Sequence, residues 1–94
     1  MLFSIKQCNA EWDSNDISFF EYSETDLTLF AHFEDGRRIP ITVFDDKYTG
    51  AVVSSVFMAT LKLNLDINDP FPLISKKEDF NEIIQFMKRN SLIV

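Results

Sequence analysis

The stretch LTLFAHFEDGRRIPITVF, residues 27–44, decides the fold of this chain. Side chains alternate along its first half, as expected for a β-strand with one buried face. The two alternating sets are Leu27, Leu29, Ala31 and Phe33 on one face, and Thr28, Phe30 and His32 on the other. Residues 37–44 alternate in the same way, with Ile39, Ile41 and Val43 together. The stretch therefore predicts two strands joined by a tight turn.

The loop between these strands determines which residues face each other. A two-residue loop at Asp35-Gly36 would put the aliphatic residues of the two strands on opposite faces, which a sheet with one buried face does not allow. A three-residue loop at 34–36 avoids this, and it needs the left-handed conformation that Gly36 supplies. The predicted pairs are Phe33 with Arg37, Ala31 with Ile39, Leu29 with Ile41, and Leu27 with Val43. The charged cluster beside the only histidine is therefore predicted to be a turn.

Two more strands are predicted upstream of this hairpin. LFSIKQ at 2–7 alternates loosely, and ISFFEY at 17–22 is rich in β-branched and aromatic residues. The polar segment NAEWDSND at 9–16 is predicted to be a loop. Pro40 cannot donate a backbone hydrogen bond, so we place the strand 37–44 at a sheet edge. The four strands form one mainly antiparallel sheet with an aliphatic face and a mixed face.

The C-terminal half predicts two helices. Residues 51–62 combine helical spacing of apolar residues with several small residues, although 59–67 also alternate like a strand. DINDPFPL at 66–73 is a loop broken by two prolines. Ser75 and Glu78 form a capping box, which places Ser75 at the N-terminus of the second helix. The apolar stripe of that helix consists of Phe80, Ile83, Ile84 and Met87.

These elements predict an α+β fold. Both helices pack on the aliphatic face of the four-stranded sheet, which gives a two-layer sandwich. The 94 residues are enough for a single domain, 1–94, with one modest hydrophobic core.

The charge of the chain is uneven. The formal net charge is −6, and residues 1–35 hold eight acidic residues and one basic residue. Such a field repels phosphate backbones and attracts basic partners. The single Cys8 cannot form an internal disulfide, and the N-terminal residues lack the pattern of a signal peptide, so we predict a cytoplasmic location. No apolar stretch approaches the length of a membrane span, so no membrane association is expected.

Motifs for catalysis, metals and nucleotides are missing from the sequence. Nucleophilic catalysis would need Cys8, near the end of one predicted strand, to meet His32 in another. One histidine and one cysteine are too few for a zinc site, and DINDP at 66–70 lacks the later glycine of an EF-hand loop. Arg37-Arg38 is an isolated basic pair in an acidic chain. We therefore predict no catalytic residues, no metal, no cofactor and no nucleic-acid partner.

Binding to another protein is the function that the residues favour most. Aromatic side chains on the mixed sheet face, with nearby acids, are typical of a surface that anchors a basic partner. The predicted partner-binding residues are Trp12, Asp13, Asp16, Glu21, Tyr22, Glu24, Phe30 and His32. Small size, acidity and the lack of catalytic motifs are shared with small inhibitors, such as toxin-immunity proteins, antitoxins and phage-encoded blockers of host enzymes.

Two other functions stay open at this point. A structural homodimer or accessory subunit would pair through the edge strand near Pro40 or through the aromatic sheet face. A small-ligand-binding domain or enzyme would need a pocket between the sheet and the helices. Trp12 and the many Phe side chains also have a simpler interpretation, because a small domain needs its large apolar groups for the core.

Overall fold

The computed structural model describes residues 2–7, 10–62 and 69–92, which form an α+β fold. The strands are β1 (Leu2–Ile5), β2 (Ala10–Asp13), β3 (Ile17–Ser23), β4 (Thr28–Phe33) and β5 (Arg38–Val43). The helices are α1 (Lys47–Lys62) and α2 (Phe80–Arg89), with short 3-10 turns at Ser14–Asp16 and Lys77–Asp79. The expectations for Cys8 and for residues 63–68 lie outside the described residues.

The hairpin of β4 and β5 confirms the predicted turn. The Phe33 N–H donates to the Arg37 carbonyl oxygen at 2.8 Å, and the Gly36 N–H donates to the Phe33 carbonyl oxygen at 3.0 Å. Gly36 has a φ of 91°, in the region where glycine avoids the strain of a side chain. The pairs that follow the predicted register are Ala31 with Ile39, Phe30 with Pro40, and His32 with Arg38.

Beyond Pro40 the predicted register is wrong, because β5 carries a bulge at Ile41. The extra residue shifts each later pair by one position. The pairs that replace the predicted ones are Leu29 with Thr42, and Thr28 with Val43. Pro40 lacks the N–H that a regular ladder would use, so an interruption of the pairing at this edge strand costs little.

The bulge exchanges the expected roles of Val43 and Phe44. Val43 is predicted on the buried face, but 63% of it is exposed, whereas Phe44 is only 2% exposed. The Phe44 N–H donates to the Leu27 carbonyl oxygen at 2.7 Å, which continues the shifted register past the end of β5. The strand therefore delivers an aromatic ring to the core and leaves Val43 in solvent.

The predicted single sheet of four strands is not confirmed, because the described strands form two antiparallel sheets. One sheet has the strand order β3-β4-β5, and the other consists of β1 and β2. The strand β2 lies within the predicted loop 9–16 and pairs Trp12 with Phe3. The acidic residues on either side of Trp12 conceal this strand in the sequence, since acids are depleted in strands.

Helix α1 confirms the predicted helix through residue 62 and begins at Lys47, within the segment DDKYTG at 45–50 whose sequence predicts a turn and the start of a helix. Asp46 caps its N-terminus. One carboxylate oxygen accepts the Thr49 N–H at 2.8 Å and the other accepts the Thr49 hydroxyl at 2.9 Å. The Asp46 carbonyl oxygen accepts the Gly50 N–H at 3.1 Å, which starts the helical ladder.

Helix α2 is confirmed with a different start. The predicted capping box is wrong, because the 3-10 turn Lys77–Asp79 precedes α2 and neither segment has a side-chain hydrogen bond at its N-cap. Ser75 instead offers its carbonyl oxygen to the Asp45 N–H at 2.9 Å. This bond ties the residue to the segment before α1 and so places it outside the helix.

The two sheets and both helices contribute to one cluster of buried apolar residues. Phe57 of α1 is its hub, with ring centroids 5.8 Å from Phe3, 5.1 Å from Phe20 and 5.0 Å from Phe71. The Phe71 ring lies a further 5.0 Å from Phe86 of α2. Such edge-to-face contacts suit the quadrupoles of aromatic rings, and they account for much of the high Phe content.

Candidate interaction surface

Nine side chains form a grid on the side of the β3-β4-β5 sheet that points away from the core, which we call the outer face. Pairing across the strands aligns them in three rows. The rows are Phe19–His32–Arg38, Glu21–Phe30–Pro40 and Ser23–Thr28–Val43. The exposed members are Phe19, Glu21, Arg38, Pro40 and Val43. Side chains at 20 and 22 point to the core side, so the register selects Phe19 and Glu21 for the outer face.

His32 is held by two neighbours on β3. Its ring stacks on Phe19, with centroids 4.1 Å apart and planes tilted by 14°. Its Nε2 lies 2.8 Å from Glu21 Oε1, and because an ionised carboxylate only accepts hydrogen bonds, Nε2 is the donor. One corner of the outer face thus combines an aromatic ring, a carboxylate and an imidazole.

Phe30 occupies the centre of the outer face, but it is not available as an exposed anchor. Only 8% of the residue is exposed, against the expectation that it shows on the mixed face. The Arg38 guanidinium lies over its ring at 4.1 Å from the centroid. This cation–π contact lets a large aromatic side chain lie on the outer side of a small sheet with little exposure to water.

Acidic residues flank the outer face at both ends of its strands. The Glu34 N–H donates to the Asp16 carbonyl oxygen at 3.2 Å, which brings the start of β3 beside the hairpin loop. Lys47 Nζ lies 3.7 Å from Glu24 Oε1 at the opposite end. We call these flanking acids the acidic rim: Asp16, Glu34 and Asp35 at the hairpin end, and Glu24 and Asp26 at the other end.

Asp35, at the hairpin end of the acidic rim, is held in its ionised form by Arg37. The backbone N–H of Arg37 donates to Asp35 Oδ1 at 3.0 Å, and the Arg37 Nε donates to Asp35 Oδ2 at 2.7 Å. The backbone bond foremost, and then the guanidinium, hold the pKa of Asp35 below its ordinary value. Arg37 also covers the Phe33 ring, with its guanidinium carbon 4.9 Å from the centroid.

Trp12 and Asp13 lie away from the outer face. Trp12 is half-buried on β2 and packs against the core, with its ring centroid 6.1 Å from that of Phe33. Asp13 accepts the Asn15 N–H at 3.0 Å and so begins the 3-10 turn after β2. The structure therefore separates these two predicted partner-binding residues from Glu21, Phe30 and His32, which it brings together.

Tyr22 also points away from the outer face. Its hydroxyl donates to the Lys47 carbonyl oxygen at 3.1 Å, which joins β3 to the first turn of α1. Burial foremost, and then the charges of Glu24 and Asp46, raise the pKa of Tyr22 above its ordinary value. The phenol is thus kept as a hydrogen-bond donor, and its contacts are those of a structural residue.

The sequence prediction of the site omits Phe19 and Val43, the two large apolar residues that the outer face exposes most. The alternation of β5 placed Val43 inside, and only a bulge next to Pro40 could have indicated otherwise. The face of Phe19 depends on the register of β3 with β4, and the sequence allows either Phe20 with Tyr22 or Phe19 with Glu21 on the mixed face. That register contains an irregularity between Ile17 and Phe19, which simple alternation does not reveal.

The described residues also line two shallow clefts. One, of about 360 Å³, lies between the end of β1 and α2. Its charges already pair, since Lys6 Nζ lies 2.6 Å from Glu82 Oε1 and Arg89 Nε lies 2.8 Å from Asp69 Oδ2. The Arg89 hydrogen bond holds the pKa of Asp69 below its ordinary value. The second cleft, of about 230 Å³, lies beside the hairpin loop.

Within the described ranges, no group of three or more His, Cys, Asp and Glu side chains is arranged to hold a metal ion. No helix in the same ranges is long and apolar enough to cross a membrane. Comparison of the chain with protein-family models, with curated protein sequences and with solved structures gave no match. The function must therefore be argued from the geometry of the outer face itself.

Proposed function

We propose that the chain is a non-catalytic protein-interaction domain whose outer face binds a basic partner protein. The observation that carries the proposal is the exposure of Phe19 and Val43 on a sheet face flanked by the acidic rim. An apolar centre with a charged border has the anatomy of a protein interface. The acids would speed the encounter with a basic protein, and the apolar side chains would hold it.

The predicted two-layer arrangement supports this choice of surface. If both helices cover the inner side of the sheet, the outer face is the side left for a partner. The contacts of α1 favour this arrangement, because Phe57 packs on Phe20 and the Tyr22 hydroxyl reaches Lys47. An inhibitor or immunity-type protein would use such a surface to mask a basic site, and we would seek its target in the cytoplasm.

The proposal is tested with two matched lysine variants. Val43→Lys introduces a positive charge on the outer face, which would repel a basic partner. Tyr48→Lys introduces the same charge at an exposed residue of α1, away from the outer face. Immobilised wild-type and variant proteins are incubated with cytoplasmic lysate at about 50 mM and about 500 mM salt. We expect wild type and Tyr48→Lys to retain a basic protein from the lysate at low salt and to release it at high salt. Val43→Lys should retain at least about tenfold less of the same protein.

Two outcomes contradict the proposal. If every protein retained by wild type is retained equally by Val43→Lys, the outer face is not the binding surface. If light scattering gives a dimer that is insensitive to salt and that Val43→Lys dissociates, the outer face pairs two copies of the chain. The second result would favour the homodimer instead.

A further inference from the structure

We propose that Phe19 and Glu21 form a subsite for a cationic side chain, a guanidinium or an ammonium group, of the basic partner. The inference rests on the proposed function and names the chemistry by which the outer face would recognise its partner. Phe19 and Glu21 lie on the same face of β3, so a cation placed over the exposed face of the ring is close enough to be attracted by the charge of a carboxylate on the same strand. Both side chains are exposed.

The same sheet already contains two contacts of this type. Arg38 lies over Phe30 at 4.1 Å, and Arg37 lies over Phe33 at 4.9 Å. Both distances are within the roughly 6 Å at which the ring quadrupole attracts a cation. Phe19 is the aromatic ring of the outer face that keeps 55% of its surface exposed. A cation from a partner would form with Phe19 the same cation–π contact that the chain's own arginines form with the neighbouring rings.

Glu21 makes the subsite selective for charge rather than for apolar surface alone. Its side chain is 45% exposed while it accepts the hydrogen bond from His32 Nε2. A carboxylate has two oxygens and several acceptor positions, so the bond to His32 leaves acceptor capacity for a second donor. The negative charge of Glu21 also attracts, through space, a cation that stacks on the exposed face of the Phe19 ring.

His32 determines which face of the Phe19 ring is left for the partner. Its ring covers one face of Phe19, with centroids 4.1 Å apart, and its Nε2 donates to Glu21 Oε1 at 2.8 Å. The partner's cation therefore stacks on the opposite, exposed face of the Phe19 ring.

The first test uses an oligoarginine peptide and an otherwise identical peptide in which the neutral isostere citrulline replaces arginine. Binding to the full chain is measured by calorimetry at low salt. We expect the arginine peptide to bind and the citrulline peptide to bind much more weakly. Phe19→Leu keeps apolar volume but removes the ring, so affinity should fall about two- to fivefold. Phe19→Tyr should restore it, and Tyr48→Leu, which removes an exposed ring from α1, should leave affinity unchanged.

A second measurement, the thermal unfolding of each variant, checks that its fold is kept.

Equal affinity of Phe19→Leu and wild type would overturn the subsite, as would an affinity that does not distinguish arginine from citrulline or the absence of binding to the arginine peptide. These results are separable from the proposed function, because the comparison of Val43→Lys with Tyr48→Lys can still identify the outer face as the surface that binds a protein.

Discussion

Gly50 shows how one side chain can determine the residue type at a distant position. It is buried in the first turns of α1, where the Tyr22 ring of β3 lies across the helix backbone. A Cβ built at Gly50 would lie 2.5 Å from Tyr22 Cε1 and 2.6 Å from its Cζ, well inside van der Waals contact. The close approach of strand to helix, rather than a special backbone angle, therefore requires glycine here.

Gly50→Ala tests this close approach. Alanine would favour an ordinary helix by about 1 kcal/mol, but here we expect the free energy of unfolding to fall by about 1–3 kcal/mol because the ring must move. The measurement is urea unfolding of Gly50→Ala in wild type and in a Tyr22→Ala background. With the ring removed, the same substitution should become neutral or stabilising. Equal destabilisation in both backgrounds would exclude the Tyr22 contact as the cause.

Asp46 links the cap of α1 to pH. The Thr49 N–H foremost, and then the Thr49 hydroxyl, hold the pKa of Asp46 below its ordinary value. A carboxyl with a lower pKa in the folded state stabilises the fold above its unfolded pKa of about 3.9, and it loses this contribution as the pH falls through the folded value. The stability difference between wild type and Asp46→Asn, measured by urea unfolding, should therefore be larger at about pH 6 than at about pH 2. A difference that is constant with pH would contradict this.

The elements differ in how far local sequence determines them. The β4–β5 turn was predictable, because Gly36 and the alternation of both strands agree on one loop length. Helix α2 was predictable from its apolar stripe, but not its start, because the Ser75 carbonyl bonds to Asp45, a residue distant in sequence. The strand β2 was not predictable, because its pairing with β1 and the packing of Trp12 compensate for a sequence that favours a loop.

Strand β5 gives the element-scale prediction. The bulge at Ile41 means that Phe44 fills the core while Val43 does not, the reverse of the alternating pattern. Phe44→Ala should therefore lower the free energy of unfolding by about 3–5 kcal/mol, whereas Val43→Ala should change it by less than about 0.5 kcal/mol. Guanidinium unfolding of the two variants decides the matter. If Val43→Ala lowers the free energy of unfolding more than Phe44→Ala does, the strand has the regular register and Val43 does not lie on the outer face.

The arrangement of the outer face, which depends on the whole molecule, could also be predicted only in part. Glu21, Phe30 and His32 could be predicted as neighbours, because strand periodicity places Phe30 with His32 and one of the two registers adds Glu21. The exposure of Val43 and the burial of Phe30 under Arg38 could not be predicted, since both depend on how the strands pair. The positions of Trp12 and Tyr22 depend on packing between sheets and helices, which one-dimensional patterns do not contain.

The two sheets are joined through aromatic packing, which predicts how the whole molecule unfolds. Phe57 contacts Phe3 of the β1–β2 sheet and Phe20 of the other sheet, and these two rings also meet directly, with centroids 6.2 Å apart. Neither sheet can therefore leave the core without breaking contacts of the other. We therefore expect one cooperative unfolding transition, even though the described strands form two separate sheets. Trp12, the only tryptophan, reports on β2 by fluorescence, and far-ultraviolet circular dichroism reports on the helices.

We expect the fluorescence and circular dichroism signals to change together along a urea titration. In Phe57→Leu they should still change together, at a lower urea midpoint. Phe57→Ala removes the hub ring entirely and should cost about 3–5 kcal/mol, a large share of the roughly 5–15 kcal/mol that stabilises a typical domain. If the Trp12 signal changes at lower urea than the helical signal, the β1–β2 sheet unfolds as a separate unit. In that case Phe57 would stabilise only the part of the molecule that carries the outer face.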